Sequence, residues 1–207
     1  MQLTLADSSA TEALGRALAR ALPAAVYLGI AVAPGVATPG VAAPAVAAPG
    51  AAAATGAAAA TGAVGGARTG AMVHLRGELG AGKTTCVRSL LRALGVTGLV
   101  RSPTYTLVET YVLPGLTCVH VDLYRLQVQT EVDELGLRDL VGPGCLMLVE
   151  WPEKGGTPLP PADLDLSLRY AGDGRQAALR ANTPVGIEWM TYLGRDTSLS
   201  SYVSNIT

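Results

Sequence analysis

One glycine-rich stretch carries the strongest chemical signal in this chain. Gly77 to Thr84 reads G-E-L-G-A-G-K-T and fits the pattern G-x-x-x-x-G-K-[ST] of phosphate-binding loops. Each residue type there has a use toward a phosphate. Gly77, Gly80 and Gly82, with Glu78, Leu79 and Ala81 between them, let the main chain wrap closely around an anion. Lys83 adds a full positive charge near terminal phosphates. Thr84, followed by Thr85, offers a hydroxyl to a magnesium ion, which keeps several waters and binds few protein oxygens. Glycine is abundant in the chain, but lysine is not: Lys83 and Lys154 stand against thirteen arginines, so a lysine at the pattern's key position is not a by-product of composition.

Such a loop works only between a strand end and a helix N-terminus, and the flanking residues supply both. Ala71 to Arg76 reads as a short strand and Thr85 to Leu94 as a helix, whose unpaired N–H groups and partial positive charge would point at the anion. Binding alone is not hydrolysis, which also needs a metal anchor and a group that places water. In an α/β sheet these lie at the carboxyl ends of strands. Two apolar runs end in acids there, Cys118-Val119-His120-Val121-Asp122 and Cys145-Leu146-Met147-Leu148-Val149-Glu150. One acid could hold magnesium and the other orient the attacking water; either alone could equally be a solvated strand-end carboxylate. Thr104, in the polar stretch Arg101 to Thr106, could sense the γ-phosphate or simply cap its own turn.

The remaining elements can be read around that centre. Gln2 to Ala6 alternates like an edge strand, and Ser9-Ala10-Thr11-Glu12 has the form of a capping box ahead of Leu14, Leu18 and Leu22. Leu107 to Leu113 and Leu116 to Val121 predict a hairpin joined by Pro114-Gly115. Glu131 to Leu140 predicts a helix. Asp163 to Tyr170 alternates strictly and can pair with Arg175 to Ala181 across Gly172-Asp173-Gly174. After Pro184 no strong period is visible. The expected architecture is α/β, a three-layer sandwich of the P-loop NTPase kind with a mostly parallel sheet and antiparallel additions.

Composition sets the outer limits. The 207 residues suit one domain, read as 1–183, with 184–207 as a C-terminal tail. Ala21 to Ala67 contains no charged side chain, and 34–70 reads as a low-complexity Ala/Gly/Pro insertion without a catalytic role, which limited proteolysis would test. A net charge of -1 gives no basic field for nucleic acid, so any RNA connection would run through a partner. Cys86, Cys118 and Cys145 form no C-x-x-C pair and read as buried small hydrophobes. The N-terminus lacks a signal-peptide pattern, and Ala24 to Ala33 is about half the roughly 20 residues a spanning helix needs, so a cytoplasmic protein without membrane association is expected. Neither lysine belongs to an [NT]-K-x-D guanine-reading motif, which favours ATP over GTP. No arginine-bearing lid of the kind a small-molecule kinase wants is visible.

Four ordered segments then carry a resemblance. Gly77 to Thr85 (GELGAGKTT), Ser102 to Glu109 (SPTYTLVE), Asp122 to Arg125 (DLYR) and Leu148 to Glu153 (LVEWPE) resemble the successive signatures of the TsaE family, formerly YjeE, the bacterial ATPase of tRNA threonylcarbamoyladenosine (t6A) synthesis. The resemblance covers Gln2 to Leu22 and Ala71 to Ala181. It implies an ATP- and Mg2+-dependent ATPase that works with the TsaB–TsaD pair, touches tRNA only through that complex, and resets it between modification cycles. Lys83 matches the phosphate lysine, Thr84 the magnesium threonine and Thr85 the second loop threonine. Thr104 falls in a switch-like loop and Asp122 in a Walker B-like motif. Glu150 matches an acid associated with the metal, Trp151 follows it, and Thr11 matches a position near the nucleotide base. The insertion and the tail depart from the family pattern. A nucleotide-gated binding module and a small P-loop kinase are the alternatives.

Overall fold

A computed structural model describes residues 1–27, 70–126, 130–157 and 159–203. The insertion read at 34–70 lies, apart from Gly70, outside the described residues. Strands β1 (Gln2–Leu5), β2 (Ala71–Arg76), β3 (Val108–Leu113), β4 (Leu116–Asp122), β5 (Cys145–Glu150), β6 (Leu164–Ala171) and β7 (Gly174–Ala181) form one sheet in the order β1-β7-β6-β2-β5-β4-β3. Its four central strands, β6, β2, β5 and β4, run parallel. The antiparallel additions are β3 at one edge and β7 with β1 at the other. This is the α/β arrangement expected, with Gln2–Leu5 at the sheet edge.

Strands β2, β4 and β5 are largely apolar because both faces are covered, whereas β6 alternates Leu164, Leu166 and Leu168 with Asp165, Ser167 and Arg169. On one face, Val73, Leu75, Leu146, Leu148, Leu164, Leu166 and Leu168 pack in a single core with helices α1 (Ser8–Arg20), α2 (Lys83–Ala93) and α6 (Pro184–Leu193). On the other, Met72, Val119, Val121, Met147 and Val149 pack with Leu123, Leu126, Val132 and Leu137, under the short helices α3 (Thr130–Glu134), α4 (Leu137–Leu140) and α5 (Pro152–Gly155). The three cysteines are free and buried, and burial pushes the Cys86 and Cys118 thiols up to about 12, so they serve as packing groups. Among the described residues no helix is long and apolar enough to cross a membrane.

Three sequence expectations need correction. Helix α1 is capped by Asp7, whose carboxylate accepts from the Ala10 N–H at 2.9 Å, and not by a Ser9–Glu12 box; Ser9 donates to Asp7, and Glu12 pairs with Arg16 along the helix. An acceptor-only carboxylate two residues upstream claims the orphan amide first. The helix expected over Glu131 to Leu140 is two short pieces, broken where Gly136 turns left-handed at φ +60°. Beyond Pro184, where no period was visible, α6 forms behind a Thr183 cap and docks through Gly186, Trp189 and Leu193. The spacing is helical, but one of the three contacts is a glycine, and Ile187 on the same helix is exposed, which hides the stripe from a hydropathy reading.

Candidate phosphate and metal site

The loop 77–82 connects the buried strand β2 to the first turn of α2, an eleven-residue helix. Gly77 sits at φ +137°, and a β-carbon there would lie 2.2 Å from the Leu168 carbonyl oxygen. Gly82, at φ +105°, is the N-cap of α2, and no side chain caps that helix. Its first N–H groups and the positive end of its dipole are therefore directed into the loop.

Lys83 is only 4% exposed. Its ammonium donates to the Gly77 carbonyl at 2.6 Å and the Glu78 carbonyl at 2.9 Å, and lies 3.9 Å from the centre of the Trp151 ring. Burial holds its pKa below the ordinary lysine value, while the carboxylates of Glu150, Asp122 and Glu153 pull it back up. The cation is thus partly desolvated, and its hydrogen-bond acceptors are neutral carbonyls. A phosphate oxygen would compete strongly for it.

Two buried acids face this lysine. Asp122 and Glu150 are in register at the carboxyl ends of the adjacent parallel strands β4 and β5, and are 3% and 2% exposed. The Thr84 hydroxyl donates to Glu150 Oε1 at 2.8 Å, and His120 Nε2 lies 2.9 Å from the same oxygen. Asp122 Oδ2 accepts from both Ser102 and Thr104 at 2.7 Å, and Oδ1 accepts from the Tyr124 N–H. Thr104 therefore sits on Asp122 and not out in solvent. Buried carboxylates persist when hydrogen-bonded in this way.

The backbone around these acids is unusual. Among the described residues, Leu107 and Trp151 are the non-glycine residues with positive φ, +63° and +58°. Leu107 closes the loop that carries Ser102 and Thr104, its carbonyl accepting from the Asp122 N–H at 3.0 Å. Trp151 directly follows Glu150, donates to the Leu75 carbonyl, and holds its ring against Tyr124 at 5.0 Å and under Lys83. A bulky side chain in that conformation costs on the order of 1–3 kcal/mol, offset here by these bonds and by packing of both side chains on the second core.

The other residues singled out from the sequence meet the loop from different sides. Thr11 is buried, its methyl close to Gly82 and its hydroxyl bonded to the Asp7 carbonyl. Thr85 instead opens onto a groove of about 310 Å³ between α1 and α2, lined also by Glu12, Arg16, Arg88, Ser89 and Arg92. Glu78, Leu79 and Gly80 form the exposed crown of the loop, with Ala81 buried beneath it. The Tyr170 hydroxyl donates to the Leu79 carbonyl at 3.0 Å and steadies that crown.

The residues fit a magnesium ion by their chemistry. Thr84, Glu150 and Asp122 are hard oxygen donors, and the Thr84 proton is already given to Glu150, leaving its lone pairs for a cation. Among the described residues no three His, Cys, Asp or Glu side chains gather as a metal cage. Magnesium needs none, since one or two carboxylates plus substrate phosphates hold it.

Comparison with known proteins places the chain in a family. Residues 50–178 match the family described as Threonylcarbamoyl adenosine biosynthesis protein TsaE. The chain belongs to the TsaE family. The Haemophilus influenzae tRNA threonylcarbamoyladenosine biosynthesis protein TsaE is 46% identical over 115 residues, covering 56% of this chain and 73% of that protein. The Bacillus subtilis TsaE is 36% identical over 107 residues, covering 52% of this chain and 66% of its own. The crystal structure of Bacillus subtilis YdiB shares the fold, with a TM-score of 0.58 at 21% identity over 94% of each chain.

Within this TsaE-family chain, Lys83, Thr84, Asp122, Glu150 and Thr104 are the residues the sequence singles out, and the structure pairs Thr84 with Glu150 and Thr104 with Asp122 at the ends of adjacent strands beside Lys83. Sequence reasoning left out Ser102, His120 and Tyr170. The signal for His120 was present as His120-Val121-Asp122: residues two apart on a strand face the same way, so a histidine precedes the acid on its own face. Tyr170 gave no such signal, because its contact crosses from β6 to the loop.

Proposed function

We propose that this TsaE-family chain binds ATP with magnesium on the loop 77–85 of a P-loop NTPase-like fold and hydrolyses it slowly, within t6A biosynthesis and together with TsaB–TsaD-type partners. The observation that carries this reading is the convergence of Thr84, Glu150 and Asp122, from a helix start and two neighbouring strand ends, beside a desolvated Lys83. The loop amides and Lys83 hold the phosphates. Thr84 and Glu150 hold the metal, which when bound neutralises phosphate charge. Asp122, held on three sides by Ser102, Thr104 and the Tyr124 amide, orients the attacking water or assists at the metal.

In this reading Lys83→Ala abolishes ATP binding, whereas Glu150→Ala and Asp122→Ala keep binding and lower turnover by roughly 10²-fold or more. Calorimetric binding and a phosphate-release assay, with and without the partner proteins, separate the two effects. Wild-type turnover in both acid variants would remove the metal assignment.

A second reading is favoured by one contact. Because Asp122 ties the loop 102–107 to β4, the acid also serves as the latch of a nucleotide-gated surface, with hydrolysis incidental. Repeated rounds of tRNA modification supported by the non-hydrolysing variants would select this reading.

A further inference from the structure

A histidine lies beneath the two acids and has no role in the reading above. His120 is wholly buried on β4, two residues before Asp122, and its Nε2 is 2.9 Å from Glu150 Oε1. Its other ring nitrogen, Nδ1, is buried with no hydrogen-bond partner among the described residues. That asymmetry fixes the tautomer. A lone pair on Nε2 would face the lone pairs of a carboxylate, and a proton on Nδ1 would be a buried donor with nothing to accept it. The proton therefore belongs on Nε2, which donates to Glu150.

Glu150 Oε1 accepts at once from His120 and from Thr84, while Thr84 also lies 3.0 Å from Oε2. A glutamate has three side-chain torsions, and one bond to a threonine would leave it free to swing. A second donor on a rigid ring, rooted in a central strand, removes that freedom. We propose that His120 is a positioning residue: it orients the Glu150 carboxylate, and through it the Thr84 hydroxyl, for the divalent cation. The inference rests on the metal assignment made under the proposed function.

The test uses the full chain with manganese as the probe and a non-hydrolysable ATP analogue, read by electron paramagnetic resonance. His120→Leu keeps an apolar side chain but loses the donor, and should weaken manganese binding about 10-fold or more, the usual effect of losing a ligand's orienting partner. Affinity for the analogue without metal should stay at the wild-type level. His120→Gln, which restores an N–H donor, should recover most of the manganese affinity. Nitrogen-15 spectra of the wild-type imidazole should show the proton on Nε2. Undiminished manganese binding by His120→Leu, an equal fall in metal-free nucleotide affinity, or a proton on Nδ1 would each overturn the proposal. If His120→Leu does not fold, the glutamine variant and the wild-type spectrum decide. A wild-type protein that binds no manganese with the analogue would instead refute the metal assignment itself, and the inference with it.

Discussion

Charge is kept out of water at several points in this small protein, and each has a different answer to the desolvation cost. Lys83 is held by two carbonyls and an aromatic face, and Glu150 and Asp122 by hydroxyl, imidazole and amide donors. His74 is handled otherwise. It lies buried on β2, 3.9 Å from the Asp165 carboxylate, with Nε2 lacking a hydrogen-bond partner among the described residues, and burial lowers its pKa to about 4 despite that carboxylate. Folding therefore excludes a proton that the unfolded chain would take up below about pH 6.5. Stability from this residue is complete above that pH, declines as pH falls toward 4, and declines no further beyond it. The loss is on the order of 3 kcal/mol. In urea titrations across pH 4 to 7, about that window, His74→Leu should show a flatter dependence than wild type. Parallel curves would show that His74 is not the group responsible.

At the level of elements, the loop and helix α6 each contain a close contact that one substitution would disrupt. Gly77→Ala would press a β-carbon onto the Leu168 carbonyl and force φ +137° on an L-residue. We expect a destabilisation of about 3 kcal/mol and a loss of more than about tenfold in nucleotide affinity. Chemical denaturation and calorimetry would check both, and an alanine variant that binds normally would show that β6 yields there. Helix α6 depends on Trp189, which is fully buried and donates from Nε1 to the Leu18 carbonyl at the end of α1. Trp189→Ala should cost about 3–5 kcal/mol, read as a shifted urea midpoint. A cost below about 1 kcal/mol would mean that α6 rests on the domain without supporting it.

For the whole molecule, a net charge of -1 has a direct consequence. Affinity for tRNA dominated by phosphate contacts needs a basic face. The isolated chain should therefore show no saturable tRNA binding below roughly 10 µM at about 0.15 M salt. Titration of labelled tRNA would test this, and tight, salt-sensitive binding by the chain alone would contradict a role exercised through partners. The parallel centre of the sheet fits the same division of labour. It brings β2, β5 and β4 side by side with their carboxyl ends together, so the loop, Asp122 and Glu150, and the 102–107 segment lie at one end of the sheet.

Much of this was legible before any coordinates. The strands β2, β4 and β5, the loop between β2 and α2, and the acids Asp122 and Glu150 follow from local rules: apolar runs too short for helices, glycines where the chain must turn sharply, carboxylates at strand ends. Those signals survive in one dimension because each is carried by consecutive residues. The Asp7 cap, the break at Gly136 and the docking of α6 were less legible, since competing local donors or a distant packing partner decides them. The same holds within the site. Sequence alone singled out Lys83 and Thr84 as the centre of the proposed phosphate chemistry. Only the tertiary structure decided that Glu150 is shared by Thr84 and His120, that Ser102 and Thr104 both hold Asp122, and that Trp151 lies against Lys83. Those pairings join residues 18 to 68 positions apart, and strand order, which no local pattern encodes, sets which side chains meet.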